Sequence, residues 1–291
     1  MASHAELAAM RRAITLSALA LGTTSPNPPV GCVILDPSDT PVGEGYHIRK
    51  GGPHAEGQAL ATAGPRSRGA TAVVTLEPCN HIGRTPACRQ LLLDAGVARV
   101  VIATMDPTSR GDGGAAVLAQ AGLSVETGVL EPEARLVLGP WLRAQRLGRP
   151  HITWSYQAGP NGPEPIDEPL IERLRRAYDL VIRPDHTIIE GVPGGHGQDF
   201  TLSQHPDNHD TDTPAHLWRA GARTLLLNMD ATAAQPYLDQ DLIDAITLAV
   251  TPPPGTGTQP PHLLPPGFAI HHISPDGPNL TLNAQAIRLD A

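Results

Sequence analysis

The sequence is short of the residues that several protein classes need. Three cysteines in 291 residues cannot staple a disulfide scaffold. No uninterrupted apolar run approaches the roughly 20 residues of a membrane span. The first 25 residues carry Glu6, Arg11 and Arg12 and lack a signal-peptide pattern, so a soluble cytoplasmic chain with no membrane partner is expected. Aromatics are scarce, with two Phe, four Tyr and three Trp, and the formal charge is −8. That leaves neither a basic stripe nor stacking platforms, which argues against a nucleic-acid partner. Lysine is almost missing: Lys50 stands alone among 21 basic residues. Coding bias explains most of that imbalance, but some chemistry specifically needs a lysine.

What is present divides in two. At about 150 residues per domain the length suggests two domains. Residues 1–148 hold 13 Lys and Arg against 12 Asp and Glu, and residues 149–291 hold 8 against 17. Gly148-Arg149-Pro150 is the best boundary. In the first half, helices are predicted over 6–21, 54–62, 89–95, 114–121 and 132–146 from helical apolar spacing and glycine stops. Strands are predicted over 30–35, 42–48, 72–76, 99–104 and 124–128, with a turn at 36–41. This alternation predicts a layered α/β domain. The second half reads as α/β again, with strands at 151–156, 180–183, 223–227 and 243–250 and helices at 168–177 and 231–239. Inserts at 191–214 and 252–266, rich in Gly, Pro, His and Asp, read as solvated loop. The histidines in and beside them have no tight ligand spacing.

Three segments carry chemistry: Pro53-His54-Ala55-Glu56, Leu76-Glu77-Pro78-Cys79 and Gly83-Arg84-Thr85-Pro86-Ala87-Cys88. His-x-Glu opening a helix, followed by Pro-Cys and a second Cys, is the zinc-deaminase pattern. One imidazole and two thiolates supply three ligands, His54, Cys79 and Cys88, and leave the fourth tetrahedral position open. Glu56, two residues past His54, is placed to move protons instead of binding the ion. Cys32 lies inside an apolar strand and reads as core.

The cysteines stand nine positions apart, and this narrows the class. Pro78-Cys79-Asn80-His81-Ile82-Gly83-Arg84-Thr85-Pro86-Ala87-Cys88 resembles the zinc loop of the riboflavin-biosynthesis deaminase–reductases. So do Pro26-Asn27-Pro28-Pro29-Val30-Gly31-Cys32-Val33, Gly43-Glu44-Gly45-Tyr46-His47 and the run Gly69–Cys79. The resemblance covers about residues 7–147. It implies a cytidine-deaminase-like three-layer domain over 1–147 holding one zinc. It also implies hydrolytic deamination of 2,5-diamino-6-ribosylamino-4(3H)-pyrimidinone 5′-phosphate, with release of ammonia. Carried over by position, Glu56 shuttles protons, while Asn27, His47, His81, Arg84 and Asp106 line the substrate. Read without the resemblance, Asn27 is a turn residue, His47 a strand-end residue and Arg84 a solvated arginine. After Asp106-Pro107 the family continues Asn-Pro, where this chain has Thr108-Ser109, so the substrate is less fixed than the reaction. A dimer or higher homo-oligomer is implied by the resemblance only.

In the same family the second half is a dihydrofolate-reductase-like α/β domain that uses NADPH. Over 148–291 this chain follows its register but not its site. Ser155 stands at the lysine position, Gly159 at the serine and Asn161 at the aspartate. A glycine turn is replaced by Arg183-Pro184-Asp185-His186-Thr187, and a Glu-Gly-Gly turn by Asn228-Met229-Asp230. Loss of glycines removes close backbone approach to a cofactor, and Asp230 opposes a phosphate. A degenerate domain without NADPH binding is therefore expected. The expected function is a zinc-dependent aminopyrimidine deaminase. The alternatives are a deaminase of a related heterocycle in a specialised pathway and a non-catalytic zinc-stabilised scaffold, the latter disfavoured by the presence of Glu56.

Overall fold

In the central strands of the first half, alternate side chains belong to two different cores, as a pleated sheet covered on both faces requires. In the computed structural model, which describes residues 1–80, 86–159, 162–196, 213–250, 264–276 and 279–287, Cys32, Ile34, Ala72, Val74, Val100 and Ile102 face one layer. Val33, Leu35, Val73, Val101 and Ala103 face the other. The strands β1 (Gly31–Leu35), β2 (Pro41–Tyr46), β3 (Thr71–Leu76), β4 (Arg99–Thr104) and β5 (Ser124–Glu126) form a sheet in the order β2-β1-β3-β4-β5. β1 runs antiparallel to both neighbours, and β3, β4 and β5 are parallel. Helices α2 (Ala55–Ala63), α3 (Cys88–Asp94) and α4 (Gly113–Gln120) pack on the first face, and α1 (His4–Ala18) on the second. A fifth helix, α5 (Glu131–Leu147), sends Leu138 and Trp141 to one core and Ala134 to the other.

The helix starts are written locally. Ser3 and Glu6 close a capping box on α1, Ser3 Oγ accepting from Glu6 N–H and the Glu6 carboxylate accepting from Ser3 N–H. Glu6 also accepts from Arg99 at 2.6 Å, which ties α1 to the start of β4. The seating of α2 needs two glycines. Ala55, Ala59 and Ala63, spaced by four, turn a flat alanine stripe toward β2. Opposite them β2 has Gly43 and Gly45. A Cβ on Gly45 would stand 2.5 Å from the Ala55 carbonyl oxygen and 2.6 Å from Ala59 N, and one on Gly43 would overlap the Ala59 carbonyl.

Two compact units meet in sequence at Leu147 and Gly148. The second is built on a mixed sheet whose strands β6 (His151–Gly159), β8 (Leu180–Ile182), β9 (Ile188–Glu190), β10 (Thr224–Asn228), β11 (Ala245–Val250), β12 (Phe268–Asp276) and β13 (Asn279–Ala286) lie in the order β12-β13-β11-β6-β10-β8-β9, with β7 (Gly162–Glu164) pairing β6. Its centre is parallel: β6 lies between β10 and β11, and β8 follows β10. Helix α6 (Glu168–Leu174) covers one face, and α7 (Thr213–Ala220) and α8 (Ala231–Asp239) the other. The carboxylate of Asp244 has no exposed surface. It accepts from Arg149 at 2.6 Å and from Ile152 N–H at 3.0 Å, which fixes the entry to β6.

The predicted elements agree with the observed ones to within a few residues, except that the predicted helices over 6–21 and 168–177 stop as α-helix at Ala18 and Leu174. Sequence reading passed over the edge strands. β9 (Ile188–Glu190) follows the Arg183–Thr187 turn, and β12 (Phe268–Asp276) pairs β13 (Asn279–Ala286) as a hairpin. On β12, Ala269, Ile270, His271, His272 and Ile273 are all exposed, so no face is buried and no period-2 signal arises. Most of the two insert loops lies outside the described residues. Among the described residues no helix is long and apolar enough to cross a membrane.

Because α2 rests on glycine, Gly45→Ala is expected to lower stability by about 1–3 kcal/mol in chemical denaturation, the usual effect of overpacking. Wild-type stability in that variant would contradict the close contact.

Candidate metal and substrate site

The C-terminal edge of β3 and the start of α2 bring the chemistry together. His54 is the N-cap of α2, in extended backbone, and Glu56 lies in the first turn, 3% exposed. Cys79 follows β3 in the loop Glu77-Pro78-Cys79. Cys88 is the first residue of α3, so its own backbone N–H donates to Cys79 Sγ at 3.2 Å. His54 Nδ1 stands 3.2 Å from Cys88 Sγ and 3.7 Å from Cys79 Sγ. The three ligand atoms all lie within 4.8 Å of one another, and among the described residues this is the one group able to hold a metal. Bond lengths of about 2.0 Å to nitrogen and 2.3 Å to sulfur give tetrahedral edges of about 3.5–3.8 Å. The two nitrogen–sulfur spacings, 3.2 and 3.7 Å, lie within about 0.3 Å of that range, and a nitrogen with two sulfurs is a zinc-donor set.

The electrostatics follow from crowding. The Cys79 thiol is lowered to about 4, first because the Cys88 thiol hydrogen-bonds its thiolate, and His54 adds to this. Cys88 is raised because it is the donor in that bond and is buried. The same contact with Cys79 raises His54. Burial raises Glu56, and the neighbouring Cys79 charge adds to it. Cys32, predicted as core, has no exposed surface.

A cavity of about 520 Å³ opens beside this cluster. Asn27 and His47, both expected near substrate, line it and touch: Asn27 Nδ2 lies 3.1 Å from His47 Nε2. The other ring nitrogen, Nδ1, is 3.1 Å from the Pro53 carbonyl oxygen. Only an N–H suits a carbonyl, so Nδ1 carries the proton and Nε2 accepts from the Asn27 amide. Burial lowers His47, which favours this neutral ring. Its contact with Pro53 braces the residue before His54, and the two imidazoles meet edge-on at 5.2 Å.

Asp106 also lines the cavity, with Oδ1 accepting from Thr108 N–H at 2.8 Å and from its hydroxyl at 2.7 Å. His81 and Arg84 lie outside the described residues.

Sequence reasoning missed several lining residues. Glu77 accepts from Ala115 N–H at 3.0 Å and Asp106 N–H at 3.3 Å, so one buried carboxylate joins the Cys79 loop to α4 and to Asp106. A glutamate interrupting an apolar run just before Pro-Cys was the available signal. Trp141 and Gln145, four apart on α5, line the cavity, and Trp141 Nε1 donates to the Pro26 carbonyl at 2.9 Å. Helical spacing already placed them on one face. Lys50 lines the cavity too.

The chain is similar to several known proteins. The family described as the cytidine and deoxycytidylate deaminase zinc-binding region matches residues 3–104. The riboflavin biosynthesis protein RibD of Mycobacterium tuberculosis (strain ATCC 25618 / H37Rv) is 49% identical over 155 residues, 53% of this chain and 46% of the relative. The chain thus matches about half the length of that relative. The diaminohydroxyphosphoribosylamino-pyrimidine deaminase of Buchnera aphidicola subsp. Acyrthosiphon pisum is 45% identical over 142 residues, 48% of this chain and 96% of the relative. Acinetobacter baumannii RibD, form 1, superposes with a TM-score of 0.78 at 25% identity, covering 98% of this chain and 99% of that one. The fold is therefore that of a cytidine-deaminase-like domain followed by a reductase-like domain. By these matches, and by the zinc-donor set at the head of its cavity, the chain belongs to the riboflavin-biosynthesis deaminase–reductase family.

Proposed function

We propose that the chain is a zinc-dependent deaminase that hydrolyses the exocyclic amino group of an aminopyrimidine ribose phosphate and releases ammonia. The candidate substrate is 2,5-diamino-6-ribosylamino-4(3H)-pyrimidinone 5′-phosphate. The observation that carries the reading is the convergence of His54, Cys79 and Cys88 beside buried Glu56 at the wall of one cavity. His54 Nδ1, Cys79 Sγ and Cys88 Sγ would hold the ion. When bound, zinc supplies Lewis acidity that makes water a competent nucleophile near neutral pH. Glu56 takes one proton from the attacking water on a carboxylate oxygen and delivers it to the ring nitrogen, then takes the remaining proton of the added hydroxyl and delivers it to the leaving amine as the C–N bond breaks. A buried carboxylate suits this, because burial weakens its preference for the charged form. The Asn27 amide, held by His47, presents Oδ1 and its second N–H to the ring's polar edge. The Trp141 ring and Pro28 give the pyrimidine an apolar wall.

We assign residues 1–147 to the deaminase domain and 148–291 to a reductase-like domain that has lost NADPH. The side chains at the ends of its parallel strands support that assignment. Asp230 caps α8, accepting from Ala233 N–H at 2.9 Å, so the chain's own carboxylate fills a helix start that would receive a phosphate. Asn228 at the end of β10 accepts from Ile166 N–H at 2.8 Å. Ser155, at the lysine position, is buried. Turn Arg183–Thr187 closes on itself through Thr187 N–H to Asp185 at 3.0 Å. A cytoplasmic homo-oligomer completes the reading. A second reading, deamination of a related heterocycle, is favoured by Thr108 on the cavity wall, where the family has asparagine.

An ammonia-release assay over aminopyrimidines, with and without the 5′-phosphate, tests the proposal. Wild type is expected to release ammonia, and Glu56→Gln to keep its zinc while turning over about 10²–10⁴ times more slowly. A Glu56→Gln protein as fast as wild type would sink the mechanism. In calorimetry, NADPH is expected to give no binding heat, and stoichiometric binding would overturn the reading of the second domain.

A further inference from the structure

Lys50, the chain's single lysine, stands on the wall of the cavity that holds Glu56 and Cys79. It sits half-buried in the turn between β2 and α2, three residues after His47 and four before His54. Gly51, in left-handed backbone at φ 81°, and Gly52, whose N–H donates to Arg49 O at 3.1 Å, shape that turn.

Among the described lining residues Lys50 is the only Lys or Arg, and the carboxylates are Glu56, Glu77 and Asp106. None of these carboxylates pairs with it. Glu77 is taken up by the Ala115 and Asp106 amides, and Asp106 by Thr108. Glu56 is buried beside the ligand cluster. Among the described residues, therefore, an ammonium that pairs with none of these carboxylates borders a cavity whose other charged side chains are acidic.

The cavity, about 520 Å³, lies within the range of about 300–1,000 Å³ that holds ligands larger than a bare heterocycle. An anionic substituent entering it meets repulsion from the carboxylates unless a cation offsets them. Lys50 supplies a compact charge with three donors on a long stem, suited to a phosphate.

We propose that the Lys50 ammonium binds a phosphate monoester on the substrate, and so sets the preference for phosphorylated over neutral aminopyrimidines. The inference rests on the deaminase reading and deepens it. Lys50 acts in binding and takes no part in breaking the C–N bond.

Two measurements on the zinc-loaded full-length protein test this. In steady-state kinetics with the pyrimidinone 5′-phosphate and its dephosphorylated nucleoside, Lys50→Met is expected to raise KM for the phosphate by about 10- to 100-fold, the loss of one charge-assisted hydrogen bond. The kcat should stay within about twofold. The nucleoside's constants should not move, and Lys50→Arg should restore most of the lost affinity. An equal effect on both substrates, or none on either, overturns the proposal. Because the chain has one lysine, protein labelled with ¹³Cε-lysine gives one side-chain resonance. Ribose 5-phosphate is expected to shift it saturably while ribose does not. No shift overturns the proposal whether or not either pyrimidine is turned over. If neither pyrimidine is deaminated by wild type but ribose 5-phosphate still shifts the resonance, the deaminase reading fails and phosphate binding by Lys50 stands.

Discussion

The contact between α2 and β2 carries the site. An alanine stripe at positions 55, 59 and 63 lies directly on the backbone at Gly43 and Gly45, closer than any Cβ on the strand permits. That contact sets the height of the first turn of α2 above the sheet, and with it the positions of His54 and Glu56. On the neighbouring side, Gly114 at the start of α4 lies against Pro78, so the Cys79 loop is pressed from behind. The candidate ligand from α2 and the candidate ligand after β3 are thus both held by backbone-to-backbone packing, which leaves little freedom to relax. The third, Cys88, comes with the start of α3 and turns its N–H toward Cys79.

The polar groups form a second layer of constraint around the same point. Glu77 binds two backbone N–H groups from the β4–α4 region. His47 links Asn27 to the carbonyl just before His54. Each side chain has one use, and its partners orient it. The tautomer of His47 follows from the Pro53 carbonyl, and the orientation of the Asn27 amide follows from His47. This preorganisation lets a small number of groups act on a substrate without rearrangement.

Much of this was legible in the sequence, for physical reasons. The centre of the first-half sheet is covered on both faces, so β1, β3 and β4 are nearly continuous apolar runs bounded by turns. Its helices have clear starts, such as the Ser3–Glu6 box. Spacing alone singled out His54, Glu56, Cys79 and Cys88, because metal ligation restricts residue type. Lining residues are less restricted. Trp141 and Gln145 share a helix face by their spacing, but only tertiary packing brings them and Lys50 to the cavity. Glu77 was visible as a polar residue in an apolar run, but its two backbone partners come from 29 and 38 residues away. The edge strand β12 escaped because it buries no face, and β9 because it is only three residues long, too short to show a period. In the second half, the residues at the strand ends are read from register, and the structure adds what they do instead, as with Asp230 capping α8.

The central claim is that three protein donors, His54, Cys79 and Cys88, form the metal centre. X-ray absorption at the zinc edge on the purified protein tests this most directly. The account predicts two sulfur scatterers at about 2.3 Å and one imidazole nitrogen at about 2.0 Å. A spectrum with no sulfur shell, or one that needs a third sulfur, would contradict it.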